Sequence, residues 1–218
     1  MSAFIALLIA ALPVAQTSTA DIVRAERERL NDCLALADDR PEAALEESLA
    51  WIGEGARPAA RYCNAMALLG LGEFRDAAAR LEELANAPDA GGLGDRAVYL
   101  AQSGNAWLIA GYPDAAIVAL TNSLKIEPQD PGVLTDRAAA YLGTDQYELA
   151  QADLDEALAL VPNSVDALQM RAQLFLEENK LDAAEADINR ALLLDRENID
   201  TLVLRGHIRE AQRLAAEG

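Results

Sequence analysis

The chain has 218 residues, with 36 Asp and Glu against 18 Lys and Arg, a formal net charge of -18. That balance repels phosphate backbones, and no basic patch, interleaved aromatic run or zinc-ligand spacing offsets it, so nucleic acid is not an expected partner. Alanine and leucine dominate and aromatics are only 5%, which suits closely packed helices more than β-structure.

Residues 1–20 carry no charged side chain, and residues 4–12 form an apolar run too short to span a bilayer, broken by Pro13. This predicts a secretory signal peptide over 1–20. Ser18 and Ala20 give the small-x-small pattern for cleavage after Ala20; the alternative after Ala15 places Pro13 badly. No Lys or Arg precedes the apolar run, a departure from the usual signal, and no Cys follows it closely, which argues against a lipid anchor. The expected location is outside the cytoplasm, in the periplasm, with the cytoplasm as the alternative if this segment is not a functional signal. No stable membrane span is expected after cleavage.

Residues 21–57 read as a divergent helical pair: a helix over 21–37, a turn at Asp38-Asp39-Arg40-Pro41, and a second helix over 42–52 with Trp51 on its apolar side. Residues 58–91 read as another diverged pair, with Ala65, Leu68, Ala77 and Leu81 at packing positions. The stretch from Ala87 to Asp95 is rich in Gly and predicts a loop, with the character of a flexible joint. Cys33 and Cys63 fall in the first helices of these two pairs. In an exported chain their even count predicts a disulfide; the alternative is two small buried side chains.

From residue 97 the chain repeats with a step of 34. Leu100, Leu134, Leu168 and Leu202 share one slot, and Gly104, Ala138, Ala172 and Gly206 the next. Trp107, Tyr141 and Phe175 share an aromatic slot. Ala116, Ala150 and Ala184 share a small one, and Pro128 and Pro162 a terminating one. Residues 97–130, 131–164 and 165–198 are thus three copies of one helix pair, a period that means stacked units rather than one enlarged core. Residues 199–218 predict a capping helix with Leu202, Gly206 and Leu214 inward. Arg137, Arg171 and Arg205 recur at one slot, and Asp153 and Asp187 at another; these predict salt bridges, either within a unit or to the preceding one.

The pattern of leucine, small, aromatic, small, apolar and proline over 97–198 resembles the tetratricopeptide repeat family. The resemblance implies an all-α, right-handed superhelical solenoid of antiparallel helix pairs, whose first helices line a concave groove. Carried onto this sequence, the groove presents Tyr62, Met66, Asn105, Leu108, Thr135, Gln169, Gln173 and His207. Amides there can bond an extended peptide backbone while apolar groups take side chains, and the surface reads as mostly neutral. The family's chaperone-binding subclass clamps terminal carboxylates with Lys, Arg and Asn; here only Asn105 matches, with Ala101, Thr135 and Gln169 at the basic slots. No such clamp is expected. The reading is a scaffold that binds a neutral or basic peptide segment of another protein without catalysis. The alternative is a structural or assembly subunit of an envelope complex.

No catalytic, cofactor or metal residues are assigned. His207 is the one histidine, and Gly91-Gly92-Leu93-Gly94 lacks the strand and helix context of a phosphate-binding loop.

Overall fold

The computed structural model describes residues 18–217. The expected signal segment lies outside the described residues apart from its last three. Eleven helices follow in order: α1 (Thr19–Asp39), α2 (Pro41–Glu54), α3 (Pro58–Gly70), α4 (Phe74–Asn86), α5 (Leu93–Ile109), α6 (Pro113–Ile126), α7 (Pro131–Leu142), α8 (Tyr147–Leu160), α9 (Val165–Glu177), α10 (Leu181–Leu194) and α11 (Ile199–Glu217). Each packs against its chain neighbours, and first helices also touch first helices, as in α5 with α7, α7 with α9 and α9 with α11. The result is an all-α solenoid of antiparallel pairs. Among the described residues no helix is long and apolar enough to cross a membrane.

Local chemistry sets the helix ends. Pro41, Pro58, Pro113 and Pro131 open α2, α3, α6 and α7, where a missing N–H costs nothing. The Asp130 carboxylate accepts from the N–H groups of Gly132 and Val133, at 2.9 and 3.1 Å, and the Ser164 hydroxyl from that of Ala167 at 3.2 Å. Ser18 and Asp21 form a reciprocal capping box at the start of α1. Cleavage after Ala20 would remove that cap, and cleavage after Ala15 would keep it.

The turn between paired helices repeats one backbone feature. Gly72, Gly111, Asp145 and Asn179 all have positive φ, at 78°, 81°, 57° and 57°. The residue after each donates its N–H back to the aromatic-slot carbonyl: Glu73 to Leu68, Tyr112 to Trp107, Gln146 to Tyr141 and Lys180 to Phe175. The left-handed conformation closes the helix end, and Gly, Asn and Asp are the residues that adopt it at least cost.

Small side chains sit where paired helices cross. Ala138 and Ala172 in the first helices and Ala150 and Ala184 in the second are fully buried. A Cβ on Gly104 would collide with the Leu120 side chain. Opposite the small residues, Leu120, Leu134, Leu154, Leu168 and Ile188 fill the groove between ridges.

The recurrent charges form pairs within their units. Arg137 grips Asp153 through Nε and Nη2, both at 2.7 Å, and Arg171 grips Asp187 at 2.7 and 2.9 Å. Both pairs are largely buried rather than exposed, with Asp153 8% and Asp187 10% accessible. The bond to Asp153 holds the Arg137 guanidinium above its ordinary pKa, against the opposing effect of burial. A link to the preceding unit also exists, but it joins Arg171 to Asp155, not Asp153, at 2.7 Å.

Two expectations change. The Gly-rich loop is shorter than expected, confined to residues 87–92. The fifth helix already begins at Leu93, and the Asp95 carboxylate accepts from the Gly92 N–H at 2.8 Å. Arg96 donates to the carbonyls of Ala85 and Ala87 at 2.6 and 2.8 Å, and Ser103 to that of Ala78 at 3.0 Å. Two carbonyls at the end of α4, those of Ala85 and Ala87, are thereby satisfied by Arg96 of α5, which packs directly on α4. The last helix also sits differently: Thr201, Leu204 and Ile208 face inward, while Leu202 and Leu214 are exposed at 37% and 56%. Stepping the register forward assumed a neighbour on both sides of α11, and among the described residues there is one on a single side.

At the other end, Cys33 of α1 is joined to Cys63 of α3, with Cα atoms 6.0 Å apart, inside a cluster with Ala44, Trp51, Ala60 and Ala67.

Candidate functional site

The first helices pack side by side, and a hollow lies between α7, α9 and α11. It has a volume of about 490 Å³ and is lined by Thr135, Asp136, Asp166, Gln169, Met170, Gln173, Asp200, Val203, Leu204 and His207. Four of the expected groove residues meet here: Thr135, Gln169, Gln173 and His207. Thr135 contributes little to a ligand, because it is buried and its hydroxyl donates to the Pro131 carbonyl of its own helix at 2.8 Å. The Gln169 amide reaches across to α11, donating to Asn198 Oδ1 at 2.9 Å and to the Thr201 hydroxyl. It braces the wall of the hollow as much as it offers a contact. Gln173 donates to Glu177 at 2.6 Å, and His207 is exposed at the rim.

The other four expected residues lie further along the stack. Tyr62 packs against Tyr99, with ring centroids 5.1 Å apart and planes tilted by 43°, and accepts from Gln102 at 2.8 Å. Met66 packs against the N-terminal core and Leu108 against the central one. Asn105, on α5, stands near enough to Asp136 to lower its carboxyl's pKa.

The surface is not neutral, as the sequence suggested. Three carboxylates, from Asp136, Asp166 and Asp200, line the hollow. None of them forms an ion pair among the described residues. Burial holds the Asp136 carboxyl above the ordinary value of 3.8; Asn105 opposes this, and the charges of Asp130 and Asp166 add to it. Beside these acids stand the apolar side chains of Met170, Val203 and Leu204. A hollow lined by carboxylates outside any ion pair and by apolar side chains suits a group with a cationic head and an aliphatic stem. Asp166 and Asp200 stand one 34-residue step apart, and Asp136 lies one helical turn past the matching position, Gly132. That was the available signal. It is weak, because acids at such spacing on a helix are ordinarily solvated surface. Among the described residues no group of His, Cys, Asp and Glu is arranged to hold a metal ion.

The tetratricopeptide repeat family profile matches residues 165–198. No curated protein matches the chain in sequence. Among solved structures, the first tetratricopeptide domain of human RPAP3 is 27% identical, with a TM-score of 0.53, over 56% of this chain and 96% of that one. The first such domain of Spaghetti (RPAP3), bound to the HSP90 peptide SRMEEVD, is 28% identical with a TM-score of 0.51, over 54% and 93%. MamA from Desulfovibrio magneticus RS-1 is 20% identical with a TM-score of 0.68, over 84% and 99%, and shares the fold.

Proposed function

We propose that this protein is a non-catalytic scaffold that binds an extended, basic segment of a partner protein along its concave face. The observation that carries this reading is the hollow between α7, α9 and α11, which Asp136, Asp166 and Asp200, outside any ion pair among the described residues, line together with Met170, Val203 and Leu204. A lysine or arginine can lay its stem against these apolar side chains and its head among the carboxylates. The likeness to a domain bound to a peptide supports the mode of binding. The ligand chemistry here is opposite, since the acidic peptide SRMEEVD would meet like charge.

The test is a displayed library of random peptides screened on the intact protein. Basic peptides with apolar neighbours should be selected, and replacing Asp136, Asp166 and Asp200 together by Asn should weaken them about tenfold or more. Selection of acidic peptides, or affinities unmoved by the replacement, would overturn the reading.

The proposal includes export to an oxidising compartment, the periplasm, supported by the uncharged, apolar residues 1–20 and by the pairing of Cys33 with Cys63. Recovery of the protein from cells with both thiols reactive after unfolding would overturn that part.

A further inference from the structure

The eleventh helix takes the place of a first helix, packing on α9 and α10 through Thr201, Leu204 and Ile208. In α5, α7 and α9 the opposite face is covered by the second helix of the same unit. Three slots show this. Leu134 and Leu168 are buried, but Leu202 at the same slot is exposed. Ala138 and Ala172 are fully buried, and Gly104 abuts Leu120; around Gly206 nothing lies within 4 Å of where a Cβ would be. Arg137 and Arg171 are each held by an aspartate of the following helix. Arg205 has no ion pair among the described residues.

We propose that this uncovered face of α11 docks an acidic amphipathic helix of another polypeptide, lying antiparallel as α8 lies on α7 and α10 on α9. The protein displays the required chemistry twice. In α8 it is Ala150, Asp153, Leu154 and Ala157; in α10 it is Ala184, Asp187, Ile188 and Ala191. The partner helix thus carries a small residue, a carboxylate three positions on, a branched apolar residue next to it, and a second small residue. The carboxylate answers Arg205 as Asp153 answers Arg137. Gly206 supplies the second argument. A glycine inside a helix costs about 1 kcal/mol relative to alanine, and with open space around it the fold gains nothing in return. Close approach of a helix supplies the gain, as Leu120 does at Gly104. This face is separate from the concave hollow, and the inference does not depend on what the hollow binds.

The probe is a synthetic peptide of residues 181–194, cross-linked to hold it helical, titrated into the full-length isotope-labelled protein. Saturable amide shifts should centre on Leu202, Arg205 and Gly206. Gly206→Phe, whose Cβ meets nothing within 4 Å, should not lower the melting temperature and should weaken binding about tenfold or more. Arg205→Asp should weaken it similarly, and the peptide carrying Asp187→Arg should restore it. Shifts absent, shifts confined to the hollow, or an affinity indifferent to Arg205→Asp would overturn the proposal. A dimer that Gly206→Phe dissolves would also overturn it, by giving the face to a second copy of this chain.

Discussion

Residues 131–194 and residues 19–70 brace their helices by different chemistry. In the first region each first helix grips its second through a guanidinium clamped on a carboxylate, Arg137 on Asp153 and Arg171 on Asp187. In the second, the Cys33–Cys63 link spans α1 and α3. Arg29 lies over Trp51 at 4.6 Å while bonding Glu47 and Glu54 at 2.9 and 2.6 Å. The repeated region obtains its bracing by copying one polar pair along with the packing slots. The N-terminal region lacks the full set of those slots and adds a covalent tie to ion pairs of its own. The repeated region thus carries one ionic contact in two copies, whereas the N-terminal region combines ion pairs with a long-range cross-link that answers to redox conditions.

The sharpest way to break the comparison is to cut the covalent tie. The link closes 30 residues of chain, so its loss should cost roughly 3–4 kcal/mol on loop entropy. Cys33→Ala with Cys63→Ala should expose amides of α1 to α3 to hydrogen exchange while α7 to α10 keep their protection. Equal loss of protection in both regions would show that the stack unfolds as one unit.

The ionic braces come next. Asp153→Ala leaves Arg137 with the Thr121 hydroxyl, at 3.2 Å, and the face of Tyr141, and should cost about 2–3 kcal/mol, because a largely buried guanidinium loses its counter-charge. Asp187→Ala leaves Arg171 its bond to Asp155 and should cost less. Urea midpoints at unchanged slope check the order; the reverse order would mean that the link to Asp155 contributes nothing.

What could be read from the sequence follows this division. Packing slots were legible because each helix crossing needs a small residue opposite a large one, so the requirement recurs every 34 residues as identity or near-identity. The Arg–Asp pairing was legible for the same reason. The left-handed turn position was not, since Gly111, Asp145 and Asn179 share a dihedral and not a side chain. The start of α5 was hidden by Gly92 and Gly94, whose flexibility is overridden by the Asp95 cap and by Arg96 reaching α4. Of the candidate site, the register located the face but not its charge. Asp136 acquires its environment from Asn105, Asp130 and Asp166, which lie on or next to three different first helices.

A single slot sharpens the contrast between covered and uncovered faces. Gly104→Ala places a methyl against Leu120, with Cδ2 only 2.6 Å from the added carbon. It should destabilise by about 1–2 kcal/mol through overpacking. Gly206→Ala meets open space and should stabilise by about 0.5–1 kcal/mol through helix propensity alone. Effects of the same sign at the two positions, measured by thermal unfolding, would mean that α11 is covered in solution.

The smallest effect concerns the hollow itself. Because burial raises the Asp136 pKa, its ionisation costs more in the folded chain than in the unfolded one. The stability it contributes is full below the ordinary value of 3.8 and is lost as pH rises through the raised folded value. Asp136→Asn removes that loss, so the variant should be the more stable near pH 7, and its advantage should vanish as the pH falls below 3.8. A bound cationic peptide should erase the same advantage, since it favours the ionised carboxylate that burial penalises. Unfolding midpoints of both proteins across pH, with and without a selected basic peptide, measure the two effects together. An advantage independent of pH would place its origin in packing or helix propensity, and would remove burial of charge as the property that sets this part of the stack apart from the ion-paired slots beside it.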